Sequence, residues 1–156
     1  MKKAIILFSI LLAFLSCKDS SESRRPNAEN PEIKDKKEST AHLQTGCYSY
    51  DDGNSTVNFE ITETGSQVLG NLTYSLAEKD RNTGTFKGSV KDSVLFGDYT
   101  FNSEGVESKR EVAFKIRDNE LVEGYGEMNA SGNAFQDKET IKYTSSMPLK
   151  KTDCNK

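Results

Sequence analysis

The chain has 156 residues, a formal net charge of −3, 34% hydrophobic residues and no tryptophan. That length leaves room for one domain of ordinary size. An acidic chain repels phosphate backbones, which argues against nucleic acid as a partner.

In chain order, Met1-Lys2-Lys3 places two positive charges ahead of an apolar run that stops at Leu15-Ser16-Cys17. A basic start, a short apolar core and then a small residue follow the order of a secretory signal. The run is shorter than the about 20 apolar residues that a membrane-spanning helix wants. Its end resembles the lipobox of bacterial lipoproteins, with Phe14 at the position where leucine is commoner. The resemblance implies cleavage before Cys17, acylation of Cys17, and a lipid anchor in the cell envelope at the outer membrane. One acyl chain holds a protein only marginally, whereas several anchor it stably. The following Lys18-Asp19-Ser20-Ser21-Glu22 is similar to the charged export signals of surface lipoproteins in the Bacteroidota. The alternative is an ordinary secretory peptide with an incidental cysteine.

Loss of residues 1–16 removes Lys2 and Lys3 and takes the formal charge to about −5. Residues 17–45 form the next segment, rich in Ser, Lys, Glu, Asn and Pro and poor in large apolar side chains. Such a composition cannot offset its ordering entropy, so a disordered tether is expected. It would hold a following domain off the membrane by roughly 30 Å. The single histidine, His42, falls in this tether, where an exposed linker residue is the expectation.

The third segment, 46–154, is the folded module. It begins at Cys47 and ends at Cys154, and with Cys17 acylated these two cysteines are left over. In an oxidising compartment they would form a disulfide. Closing a loop of about 100 residues stabilises by about 4–5 kcal/mol in the chain-entropy account. Free thiols or a metal pair are the alternatives, and the lack of a nearby histidine argues against zinc.

Period-two alternation bounded by turn residues predicts strands near 46–51, 55–63, 67–79, 83–91, 93–102, 109–117, 120–128 and 135–144. Val57, Phe59 and Ile61 share one face, as do Val68, Leu72, Tyr74 and Leu76, Phe86 and Val90, and Val112, Phe114 and Ile116. Gly70, Gly84 and Gly88 fall on the same faces and permit sharp bending. The expected fold is all-β, an eight-stranded antiparallel up-and-down barrel, which leaves no exposed sheet edge. A two-sheet β-sandwich is the alternative. Over 46–154 the arrangement resembles the small calycin-like barrels, the class of lipocalins and several bacterial envelope lipoproteins.

A meander sorts its connections into two ends. The turns near 65, 92 and 118 share one end with Cys47 and Cys154; the turn at 53 and the longer connections 80–82, 103–108 and 130–133 share the other. Long loops at a barrel mouth are where ligands or partners bind. Strand parity points Glu78 and Arg110 inward at that end, and Glu123 and Glu127 share a face with Leu121 and Tyr125. A buried charge needs a partner, so a Glu78–Arg110 pair is one solution. A bidentate contact between Arg110 and an anionic ligand is another, and a solvated rim salt bridge is the third.

The acidic loop Ser103 to Ser108 lacks calcium-loop spacing, and neither a metal nor a cofactor is expected. Asp92-Ser93-Val94 is similar to a short O-glycosylation sequence of some Bacteroidota. No nucleophile-elbow serine is present and the module has no histidine, so the chain reads as non-enzymatic. The remaining choices are a monomeric small-ligand carrier with a roomy cavity, or an adaptor or inhibitor that binds an envelope protein through its loops. Lysozyme-inhibitor lipoproteins share the size and barrel class, but their motif is missing here. An eight-stranded barrel is just wide enough for either outcome.

Overall fold

Strict alternation in Thr56-Val57-Asn58-Phe59-Glu60-Ile61 turns every second side chain away from water, and the same rule runs through most of the module. The computed structural model describes residues 42–154, and there the alternation produces a closed barrel. Its strands are β1 (Gly46–Asp51), β2 (Thr56–Glu63), β3 (Val68–Ser75), β4 (Asn82–Lys91), β5 (Val94–Ser103), β6 (Val106–Arg117), β7 (Glu120–Glu123) and β8 (Leu149–Thr152). Each pairs antiparallel with its neighbours in sequence, and β8 closes the ring onto β1 through Cys47↔Thr152 and Ser49↔Lys150. The two-sheet alternative is therefore set aside. The leader, Cys17 and most of the tether lie outside the described residues. The tether's last residues belong to the barrel: Leu43 packs against its core, and the Tyr48 hydroxyl donates to the Gln44 carbonyl at 3.0 Å.

The half of the barrel near the turns at 65, 92 and 118 is filled. Phe59 packs edge-on against Phe86 with ring centres 5.0 Å apart, and against Phe114 at 5.3 Å. Ile61, Val68, Leu72, Leu95, Leu121 and Leu149 complete this plug, all fully buried. Gly88 and Gly97 face each other across β4 and β5. A Cβ on Gly88 would stand 2.6 Å and one on Gly97 2.4 Å from the Phe86 ring, so the ring packs against the wall where side chains are missing. Cys47 and Cys154 stand at disulfide distance at this closed end, with Cα atoms 5.1 Å apart. Val90, expected to share the inward face of Phe86, is instead 40% exposed near the strand's end.

Four expected elements differ. The connection 103–108 is a two-residue turn, with Ser103 opposite Val106 and both Glu104 (φ 51°) and Gly105 (φ 81°) left-handed. That is the geometry that matches the twist of a tight hairpin. β3 stops at Ser75 and β7 at Glu123, shorter than 67–79 and 120–128. The expected strand 135–144 does not close the barrel. Asp137 accepts from the Glu139 amide at 2.9 Å and caps a 3-10 turn, Lys138–Thr140, which interrupts the extended run.

Residues 124–148 instead make an excursion, bridged at Tyr125↔Lys142 and Met128↔Phe135. It lies alongside the upper part of β6, where the Glu111 amide donates to the Asn133 carbonyl at 2.8 Å. The excursion thus stands in for the missing upper halves of β7 and β8.

Candidate functional site

Above the aromatic plug the interior changes character. β3 brings Tyr74 inward opposite Asn82 on β4, and β5 brings Tyr99 inward opposite Arg110 on β6. The parity that buries Val112, Phe114 and Ile116 carries Arg110 to the same side one step higher. At the top of β7, Glu123 turns in as a buried charged residue, 9% exposed.

Arg110 sits among rings. Its Cζ lies 5.2 Å from the ring centre of Tyr74, 5.7 Å from that of Tyr99 and 5.6 Å from that of Phe101. Tyr99 and Phe101 are stacked, 4.8 Å apart and 15° from parallel. Each ring face attracts the guanidinium by about 0.5–2 kcal/mol, more as water is excluded. No carboxylate pairs with it: the salt bridges among the described residues are Lys109–Asp98 and Lys138–Glu111. Its Nε is buried without a hydrogen-bond partner, as are the Tyr99 hydroxyl and Asn82 Oδ1. A buried polar group without a partner costs its desolvation, and two of the three residues that carry such atoms, Asn82 and Arg110, line one space.

Glu123 accepts a hydrogen bond from the Tyr74 hydroxyl at 2.7 Å. Burial pushes the Glu123 carboxyl above its ordinary value; the Tyr74 hydrogen bond and the Arg110 charge pull it back only in part. Tyr74 is held well above the usual tyrosine range, first by burial and then by the charge of Glu123. Burial also raises Tyr99, to about 12. Both tyrosines therefore stay neutral and present hydroxyls.

Tyr74, Arg110 and Glu123 face a cavity of about 590 Å³ at the open end, within the usual about 300–1,000 Å³ of small-molecule sites. Arg110, Glu123, Tyr74 and Asn82 supply its polar side. Leu76, Val112, Met128, Phe135 and Met147 supply the apolar side, and three of those five come from the excursion. Glu111 fastens that wall, accepting from the Phe135 amide at 2.9 Å and from Lys138 Nζ at 2.6 Å.

Of the four charged residues that parity singled out, the fold brings Arg110 and Glu123 together. Glu78 does not join them, and the expected Glu78–Arg110 pair does not form. The chain has left β3 by then, and Glu78 is exposed in a turn at φ 57°. Glu127 is exposed on the excursion, beyond the point where β7 ends. Tyr99 and Asn82 were legible by the same parity, one through Leu95 and Gly97, the other through Phe86 and Gly84. The cavity wall formed by 124–148 was not, because its strand-like stretches read as barrel strands 120–128 and 135–144, and Asp137 interrupts the second by capping its own backbone. Comparison with protein-family models, with curated proteins and with solved structures gives no match for this chain.

Proposed function

We propose that this chain is a non-enzymatic, lipid-anchored binding module of a bacterial cell envelope, which holds a small ligand in the open-end cavity. The observation that carries the reading is Arg110, an inward guanidinium with no ion-pair partner among the described residues, facing a cavity of about 590 Å³. A solvated rim pair would have left it satisfied at the surface. The wall of Leu76, Met128, Phe135 and Met147 gives a ligand apolar contact, and methionines adapt to its shape.

The anchor rests on the Leu15-Ser16-Cys17 segment, and a Cys47–Cys154 disulfide suits an envelope location. A protein-binding adaptor is the second reading. It is favoured by Val106, 65% exposed at the tip of the β5–β6 turn, and Tyr125, 48% exposed on the excursion. Both lie at the open end.

Two experiments test the proposal. Native mass spectrometry of the chain after exposure to an envelope extract is expected to show a small-molecule adduct. A clean apo mass together with a recovered protein partner would favour the adaptor. Cys17→Ala is expected to abolish acyl labelling and release the protein from membranes; continued labelling would sink the lipoprotein reading.

A further inference from the structure

Two opposite charges face one cavity without joining each other. Arg110 and Glu123 form no salt bridge, and Tyr74 stands between them, its ring 5.2 Å from the guanidinium carbon and its hydroxyl 2.7 Å from the carboxylate. Other charged groups at the cavity are engaged or peripheral. Glu111 is tied to Lys138 and the Phe135 amide, while Lys79 and Asp80 are exposed on the β3–β4 connection.

From this arrangement we propose that the cavity takes a small zwitterion, with its carboxylate on Arg110, its ammonium on Glu123 and an apolar body against Leu76, Phe135 and Met147. The inference rests on the reading of the cavity as a ligand site and names the class of ligand. A guanidinium matches a carboxylate bidentately. An ammonium group brings three donors and no acceptor, and the cavity offers it two acceptors, Glu123 and the unpartnered Asn82 Oδ1. The Tyr74 ring face adds attraction for a cation.

A simple anion would satisfy Arg110 while lying in the repulsive field of Glu123 and leaving Asn82 unmet. A simple cation meets the converse problem at Arg110. One molecule carrying both charges answers both demands and keeps the buried site neutral.

The chain contains no tryptophan, so an indole ligand reports its own burial by fluorescence. The full chain on phosphatidylcholine vesicles would be titrated with four probes on one ring system, with empty vesicles subtracted. These are L-tryptophan (zwitterion), indole-3-propionate (anion), tryptamine (cation) and indole-3-propionamide (neutral). L-Tryptophan is expected to bind roughly tenfold tighter than each of the others, or better, the scale of one charged hydrogen bond. Arg110→Gln and Glu123→Gln should each erase most of that preference while circular dichroism and the Cys47–Cys154 pair stay unchanged. If a singly charged or neutral probe binds as well as L-tryptophan, the zwitterion assignment fails and the ligand-site reading stands. Binding of none of the four also overturns the assignment, and absence of an extract adduct would then overturn the ligand-site reading as well.

Discussion

Glu123 reaches the interior because it shares the inward face of β7 with Leu121, and its position sets a sign for the pH dependence of stability. Tyr74 from β3, Arg110 from β6 and Tyr125 from the excursion surround it. Burial raises its carboxyl above the ordinary 4.5, so the folded chain keeps a proton that the unfolded chain releases. Stability falls wherever the folded state binds more protons and pH rises. The contribution is thus fully present below about 4.5 and is lost as pH climbs through the raised value. Surrounding tyrosines do not titrate in that window, since Tyr74 and Tyr99 are pushed upward. Urea unfolding of the wild type and of Glu123→Gln, compared from pH 4 to 7, isolates the effect from other carboxylates. The wild type is expected to lose stability relative to the variant as pH rises. A difference that does not change with pH would mean the carboxyl is not raised. The amide still accepts from Tyr74, so the variant removes the charge and keeps the hydrogen bond.

Among the elements, the excursion 124–148 depends on one side chain. Glu111 points away from the barrel interior and gathers the Phe135 amide and the Lys138 ammonium, while its own amide holds Asn133. Glu111→Ala removes two of these three ties. Amide hydrogen exchange is expected to speed at 133–139 by roughly tenfold, with β2 to β5 unchanged, since local opening is governed by local contacts. Uniform acceleration would mean that Glu111 stabilises the whole fold, and no change would mean that the excursion is held elsewhere.

The same region explains where sequence reading stopped. Strands β2, β3 and β6 announce themselves through alternation, as in Val112, Phe114 and Ile116. β8 contains one large apolar residue, Leu149, beside two lysines and a threonine. Its pairing is decided by tertiary contacts, with Lys151 over the Tyr48 ring and bonded to Gln44. No local pattern signals that. Conversely, Phe135 to Thr144 carries strand-like residues, but Asp137 bends the chain by capping its own backbone.

In the molecule as a whole, the two ends of one barrel differ in kind. Phe59, Phe86 and Phe114 close one half, and burying such rings contributes about 3–5 kcal/mol each by the usual cost of truncation. The other half keeps a guanidinium with no ion-pair partner among the described residues and a buried carboxylate, features that cost stability. The barrel class, the assignment of connections to two ends and the Cys47–Cys154 proximity were all legible, because an up-and-down meander follows from the number of strands, even though the eighth strand is Leu149–Thr152 and not 135–144. The hollow was not, because cavity volume depends on side chains that the excursion brings across from outside the strand pattern. In the proposed function, Arg110 in this hollow holds a small ligand. The most direct test is native mass spectrometry of wild type and Arg110→Gln, both taken through the same envelope extract. A small-molecule adduct is expected on the wild type and is expected to be lost or reduced at least about tenfold on the variant, as when a charged hydrogen bond is removed. An apo wild type, or an adduct carried equally by both proteins, would contradict the proposed function.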